Sequence, residues 1–357
     1  MLDSEEFRRG RTNVGFASLC RALVGLLLLI VGASGCSDAT TPPRNSPRAY
    51  LAASVKSVAF PVRNSGGEFA LLLLNYETGG RKKLGLKGSN LLSPYLSPDG
   101  SRLLFVRHPR GEGGRELVAC ETSTLHCKSM VKSEGSISYP IELSGGRILY
   151  VETPTRIHPD GRAVYTDNDF WLLGQAGHPL KLTDIKLYQI RSVSASDKEL
   201  YFSAMPDATH SVIPKFDSGS LRQSEIFKLP FDQSLGRIEI PPHKLSPLFR
   251  QDGIAISPSV SADGSIVAYL RSVNSSPYRF DLVIEDLVSQ STRLVTSAGL
   301  GFSSPVVVGK SVYANDTSEN QFRIRVGQPG KIYLDLLAEI TNASIDAMET
   351  IELEIAQ

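Results

Sequence analysis

The fifteen residues Ser93 to Arg107, SPYLSPDGSRLLFVR, limit what the chain can fold into more than any other stretch. They spell a strand, a Ser-Pro-Asp-Gly turn and a second strand. Pro98 presets φ for the first corner of a type I turn, and Asp99 bonds to its own backbone there. Gly100 takes the left-handed position that a side chain resists. Leu103 to Val106 are apolar at consecutive positions, so both faces of that strand are expected to be buried. A hairpin buried on both faces needs a layer on each side, and repetition of the hairpin supplies those layers.

Ile256 to Arg271, ISPSVSADGSIVAYLR, is the same phrase, with Ala262 for the turn proline and Asp263-Gly264 at the corner. Weaker copies are Ser138 to Glu152, Arg191 to Ala204 and Ser303 to Asn315. Their turns recur roughly every 45 to 65 residues, the period of propeller blades rather than of short solenoid coils. Each copy is followed by a second strand pair, and two pairs make a four-stranded blade. The predicted fold is all-β, a β-propeller of about six four-stranded blades over residues 55–357.

The phrase S-P-x-x-S-x-D-G-x-x-φ-x-[FY], with φ apolar, resembles the PD40 (WD40-like) repeat of TolB-type propellers. Ser93 to Phe105 and Ser257 to Tyr269 match it well, and the resemblance spans most of Val55 to Leu337. It implies a fold more than an activity, because the matching residues are turn and core positions. TolB carries an additional α/β domain before its propeller, and this chain has no stretch of that pattern.

Residues 1–35 read as an address. Arg8, Arg9, Arg11 and Arg21 precede the apolar run Leu23 to Val31, and small residues follow. Ala33-Ser34-Gly35-Cys36 resembles a bacterial lipobox, with Ala33 where Leu is usual. That resemblance implies acylation of Cys36 and a membrane anchor, since several acyl chains hold stably where one does not. The alternative is a plain secretory signal in which Cys36 is incidental. Ser37 after the cysteine points to the outer membrane, facing the periplasm, under the sorting rule of such lipoproteins. Residues 36–54 are rich in Pro, Thr, Ser and Arg and are predicted to form a flexible tether.

The full chain carries 38 basic and 37 acidic residues. Loss of residues 1–35 removes four basic and three acidic ones and leaves 34 of each. A near-neutral domain offers no basic field for nucleic acid and no electrostatic attraction to anionic lipid.

Lys56 to Val62, Phe69 to Asn75 and Arg81 to Leu86 give the first blade three strands. Thr350 to Ile355 alternates as an antiparallel edge strand should, so it is expected to be the fourth strand and to close the ring. A helical or disordered tail is the other reading. Cys120 and Cys127 flank a short connection between two strands, spaced for a hairpin disulfide in an oxidising compartment. Free thiols are the second reading, and a zinc site with His126 the third.

No G-x-S-x-G elbow, H-E-x-x-H, Gly-rich phosphate loop or C-x-x-C occurs in the sequence, and neither cofactor nor metal is expected. His108 and His158 each follow a strand end, where a site could gather, though solvated loop histidine is the preferred reading. Asp99 and Asp263 are accounted for by their turns. Asp167-Asn168-Asp169 lacks the later glycine and glutamate of a calcium loop. Arg107 and Arg271 hold equivalent places in the two best repeats and could grip an acidic ligand or partner. Residues 206–224 and 233–253 are long insertions, either binding loops of the kind that carry specificity on a rigid scaffold or disordered segments. The leading expectation is a lipid-anchored propeller that binds an envelope protein. The alternative is a glycan- or small-ligand-binding propeller, extending to a lyase or hydrolase at the channel mouth.

Overall fold

A computed structural model describes residues 50–356, apart from 65, 112–113, 158–162, 166–167, 175–176, 185–187, 206–224, 233–236, 239–247, 249–253, 273–278, 297–300, 319–320, 329 and 332. The described chain is a six-bladed β-propeller. Blade 2 shows the pattern: inner strand Ser89–Leu96, then Arg102–Pro109, Arg115–Glu121 and Cys127–Ser133, each antiparallel to the one before. Blade 3 begins at Ser136–Glu142, blade 4 at Tyr188–Ala195, blade 5 at Ala255–Val260 and blade 6 at Phe302–Val308.

Apolar residues on both faces of each blade explain the ring. Leu103, Leu104, Phe105 and Val106 are all fully buried, each worth roughly 1.5–3 kcal/mol of burial. Leu103 and Phe105 face blade 1, whereas Leu104 and Val106 face blade 3. The other junctions are filled in the same way by further apolar clusters. Phe170 meets Phe202 between blades 3 and 4, with ring centroids 5.2 Å apart. Phe60 meets Phe322 between blades 1 and 6 at 5.0 Å, which closes the circle.

The ends of the chain differ from expectation. The inner strand of blade 1 is Ala52–Ala53, paired with Val58 and Ala59, so it comes from the stretch read as tether. Two small alanines carry no hydrophobic period, and the sequence pattern does not mark them as a strand. Thr350–Glu352 is a fifth, outer strand, and it runs parallel to Arg81–Gly85 rather than antiparallel. Ile355–Ala356 then crosses to blade 2 and pairs parallel with Cys127–Ser133. Leu353, between the two pairings, is 4% exposed. Burial of that one leucine between two blades fixes the path, while Ile351 stays 39% exposed. Gly85 permits the close approach, because a Cβ there would lie 2.4 Å from Thr350 Cγ2.

Candidate functional site

The inner strands surround a cavity of about 610 Å³ along the propeller axis. It reaches one face of the ring, where the turns after the inner strands gather. Pro98, Ser144, Asp197, Ala262 and Gly309 line it there.

The wall of this cavity has a feature that the repeat conceals. Ser93, Tyr139, Ser257 and Ser304 have φ of 48°, 52°, 54° and 41°, and each precedes a proline. In all four blades the pairing slips at that point, for example between Leu92 and Tyr95 and between Ser303 and Val306. These are β-bulges, each with two residues opposite one. The left-handed conformation costs a residue with a Cβ roughly 1–2 kcal/mol, so four strained positions face the channel. The Ser-Pro of the repeat is thus a bulge in the inner strand.

Serine hydroxyls tie these strands to their neighbours. Ser194 Oγ accepts from the Val260 amide at 3.0 Å, and Ser259 Oγ accepts from the Val307 amide at 2.9 Å. Ser203 Oγ accepts from the amide of the bulge residue Ser257 at 3.3 Å. Where three bulges carry serine, blade 3 carries Tyr139, whose hydroxyl meets that of Tyr50 at 2.7 Å with the rings edge to face. Burial pushes the Tyr139 phenol far above its ordinary pKa, the Tyr50 hydroxyl adds to the shift, and Arg191 and Arg115 oppose it. Ser192 also lines the cavity; it is 8% exposed, and its Oγ has no hydrogen-bond partner among the described residues.

At the mouth, the turn carboxylates are committed to their turns. Asp99 Oδ1 accepts from Ser97 Oγ at 2.6 Å, the Ser101 amide at 3.0 Å and Ser101 Oγ at 2.9 Å. Asp263 repeats this with Ser261 and Ser265. These bonds hold both carboxyls down at about 2. Gly100 and Gly264 follow with φ of 75°. Arg102 and Glu142 form an ion pair across blades 2 and 3.

The other candidate residues lie elsewhere. Arg107 is at the end of its strand away from the mouth, bonded to Glu116 at 2.9 Å and to Ser89 Oγ at 3.2 Å. It belongs to an ion pair within blade 2, not to the channel. Arg271 is in register with Asp281 in blade 5, the same cross-strand arrangement. His108 is half-buried, its pKa lowered by burial and by Arg115. Asn168 Oδ1 accepts from Thr153 Oγ1, and Asp169 is held by Lys181 and Thr183. Cys120 and Cys127 form a disulfide across the third and fourth strands of blade 2. Cys36 and His158 lie outside the described residues, as do residues 206–224. Of residues 233–253, Arg237–Ile238 forms the fourth strand of blade 4, and the Leu248 amide donates to Ile226 O.

Tyr50, Tyr139 and Ser192 were not singled out by sequence reasoning. The signal for Tyr139 was present, since one copy of the repeat has Tyr-Pro where its best copies have Ser-Pro. Tyr50 sits in a polar stretch, and no sequence pattern marks Ser192.

The fold and site define a six-bladed β-propeller with a proline-walled axial cavity lined by apolar and hydroxyl side chains. Some solved structures are similar in fold. TolB from Acinetobacter baumannii is similar with a TM-score of 0.51 and 14% identity, over 76% of this chain and 61% of that one. Hydrazine synthase from Kuenenia stuttgartiensis matches with a TM-score of 0.55 and 12% identity, over 85% of this chain and 48% of that one. The β-propeller domain of the trilobed protease from Pyrococcus furiosus gives 0.47 and 12%, over 84% and 98%. The chain thus spans about three fifths of the TolB and half of the hydrazine synthase that it matches. At such identity the likeness is one of fold. No family model and no curated protein matches the sequence.

Proposed function

We propose that the protein is a lipid-anchored propeller of the cell envelope, held at the outer membrane through Cys36 and facing the periplasm, that binds a partner protein at the mouth of its channel. The observation that carries this reading is the axial cavity, framed by four rigid X-Pro bulges and opening among the turns. A wall fixed by interblade hydrogen bonds is pre-organised, so little ordering cost falls on binding. Asp99 and Asp263 are held within their turns and Arg102 is paired with Glu142, which favours recognition by shape over acid–base chemistry. A second reading, a small-ligand or glycan site, is favoured by the buried Ser192 hydroxyl on the cavity wall.

The test is photo-crosslinking in intact envelopes from two positions: Ser144 at the mouth and Val288 on the outer rim, which is 79% exposed. The same envelope protein should be captured from Ser144 and not from Val288, and Cys36→Ser should release the propeller from membranes. Equal capture from both positions, or from neither, defeats the partner reading. Membrane retention of Cys36→Ser defeats the anchor.

A further inference from the structure

Each inner strand has one edge that its own blade leaves unpaired, and that edge faces the channel. In an antiparallel ladder the residues alternate: one bonds to the partner strand, and the next turns its N–H and C=O away. Ser261 donates to Ile266 O in blade 5, so its neighbour Val260 faces off the edge. The Val260 amide is capped there by Ser194 Oγ of blade 4. Val307 of blade 6 is capped in the same way by Ser259 Oγ of blade 5. Two residues earlier on the edge stand Pro94, Pro140, Pro258 and Pro305, in blades 2, 3, 5 and 6. Proline has no N–H to offer, and it blunts an edge against strand pairing.

Blade 4 has neither device. Its inner strand pairs Ser192, Val193, Ser194 and Ala195 with Ser203, Phe202, Tyr201 and Leu200 without a break. Ser196 donates to Glu199 O at 2.8 Å, so the alternation turns the N–H and C=O of Ala195 and Val193 to the channel. Val193 stands where the other four blades have proline. By the pattern of Ser194 and Ser259, the residue that would cap Ala195 is Ile141 of blade 3, which has no hydroxyl. Outside the ladder, neither backbone has a hydrogen-bond partner among the described residues. Both residues line the cavity, and their side chains pack at the junction of blades 3 and 4. Blade 1 also lacks the proline, but its inner strand is only Ala52–Ala53.

Such an edge offers a donor and an acceptor from every second residue, about 7 Å apart. Another extended polypeptide repeats its own groups at that spacing, and a glycan has no such alternation. Asp197 follows Ala195 by two residues and is exposed on the cavity wall at the mouth. Arg102 is already paired with Glu142, so Asp99 and Asp197 give the entrance a negative charge. We propose that an extended segment of the partner enters at the mouth and adds as a strand to the inner edge of blade 4, its main chain bonded to Val193 and Ala195 and a basic residue beside Asp197. Main-chain bonds then supply the affinity, as in other strand additions. This rests on the reading of the channel as a protein-binding site and states how the partner is held.

The probe is acetyl-Lys-Val-Thr-Val-Thr-amide, titrated into the purified chain by calorimetry, with a series of peptides each N-methylated at one backbone amide. The parent peptide should bind in the millimolar range or tighter. N-methylation should weaken it about tenfold at alternate amides, the loss of one hydrogen bond, and leave it unchanged at the amides between. Val193→Pro should weaken the parent about tenfold, and Asp197→Asn should reduce it to the affinity of the peptide with alanine for lysine. Should Val193→Pro fail to fold, the N-methyl series on the native chain carries the test alone. Equal sensitivity at every amide, or no binding of the parent, overturns the proposal. Envelope capture from Ser144 reports on the mouth independently. Capture without the alternating pattern rejects strand addition alone, whereas loss of both rejects the channel as a binding face.

Discussion

Lys83 Nζ donates a hydrogen bond of 3.1 Å to the carbonyl of Ile345, across 262 residues of sequence. Lys83 is in the strand Arg81–Gly85 of blade 1, beneath Thr350–Glu352, and is 5% exposed; Ile345 is in the short helix Asn342–Asp346 that follows blade 6. The bond pins the exit of the last blade onto the first. Beyond it the chain lays Thr350–Glu352 on blade 1 and Ile355–Ala356 on blade 2. The ring is therefore held twice, by the apolar junction of Phe60 with Phe322 and by a terminal strap. A propeller opened at that junction would expose two apolar blade faces to water.

The strap depends on Leu353, so Leu353→Ala is expected to cost about 2–4 kcal/mol, read as a lower urea midpoint. Gly85→Ala should destabilise by a similar amount, because its Cβ would meet Thr350 Cγ2. Thr350→Ser, which removes that methyl, should restore much of the loss, as contacting residues couple. Unchanged midpoints in Leu353→Ala and in a chain ending at Glu349 would show that the strap does not hold the ring.

The bulges make the opposite prediction. Ser304 has a φ of 41°, where glycine is unstrained. Ser304→Gly should stabilise the fold by about 0.5–1 kcal/mol, even after the entropy glycine adds to the unfolded chain. Ser304→Val should destabilise by at least as much, since a β-branched residue resists that conformation most. Equal midpoints for both variants would mean that the strain is relaxed in solution.

The blades were legible because their grammar is local. The Asp99 and Asp263 turns and the doubly buried run Leu103 to Val106 are written in consecutive residues. Cys120 and Cys127 were legible for the same reason, as a pair across one hairpin. The seam was not. Ala52–Ala53 has no period to read, and the parallel path of Thr350 to Ala356 is set by where Leu353 finds a hole between two blades. The cavity wall was hidden by the repeat itself. Ser-Pro reads as the start of a strand, whereas the slip in pairing that turns Ser93 or Ser257 left-handed exists only once a partner strand is present. Arg107 and Arg271 aligned in sequence, yet their cross-strand partners Glu116 and Asp281, which place them within their blades, are distant from the motif.

Acid should act on the turns. Asp99 and Asp263 fall from 3.8 to about 2 in the folded protein through their serine and amide bonds. A carboxyl with a depressed folded pKa contributes stability that is present above its unfolded value near 3.9 and is lost as pH falls through about 2. The native protein should therefore weaken between about pH 4 and pH 2, and Asp99→Asn with Asp263→Asn should weaken less over that interval. Urea midpoints for both proteins at the two ends give the comparison. Parallel slopes would show that these turns carry none of the acid sensitivity.

The disulfide should contribute through the chain it closes. Cys120 and Cys127 are separated by 7 residues, and closing so short a loop in the unfolded chain is worth about 2–2.5 kcal/mol on an entropic account. Cys127 is also in register with Ile355 of the strap, and both cysteines pack in the cluster that contains Leu353. Reduction should therefore loosen the terminal strap as well as the hairpin. Hydrogen exchange should show the Leu353 amide, which donates to Gly85 O at 2.9 Å, losing protection in Cys120→Ser/Cys127→Ser while the blade 5 strands keep theirs. Uniform loss across the ring would mean that the disulfide supports the whole propeller and not its seam.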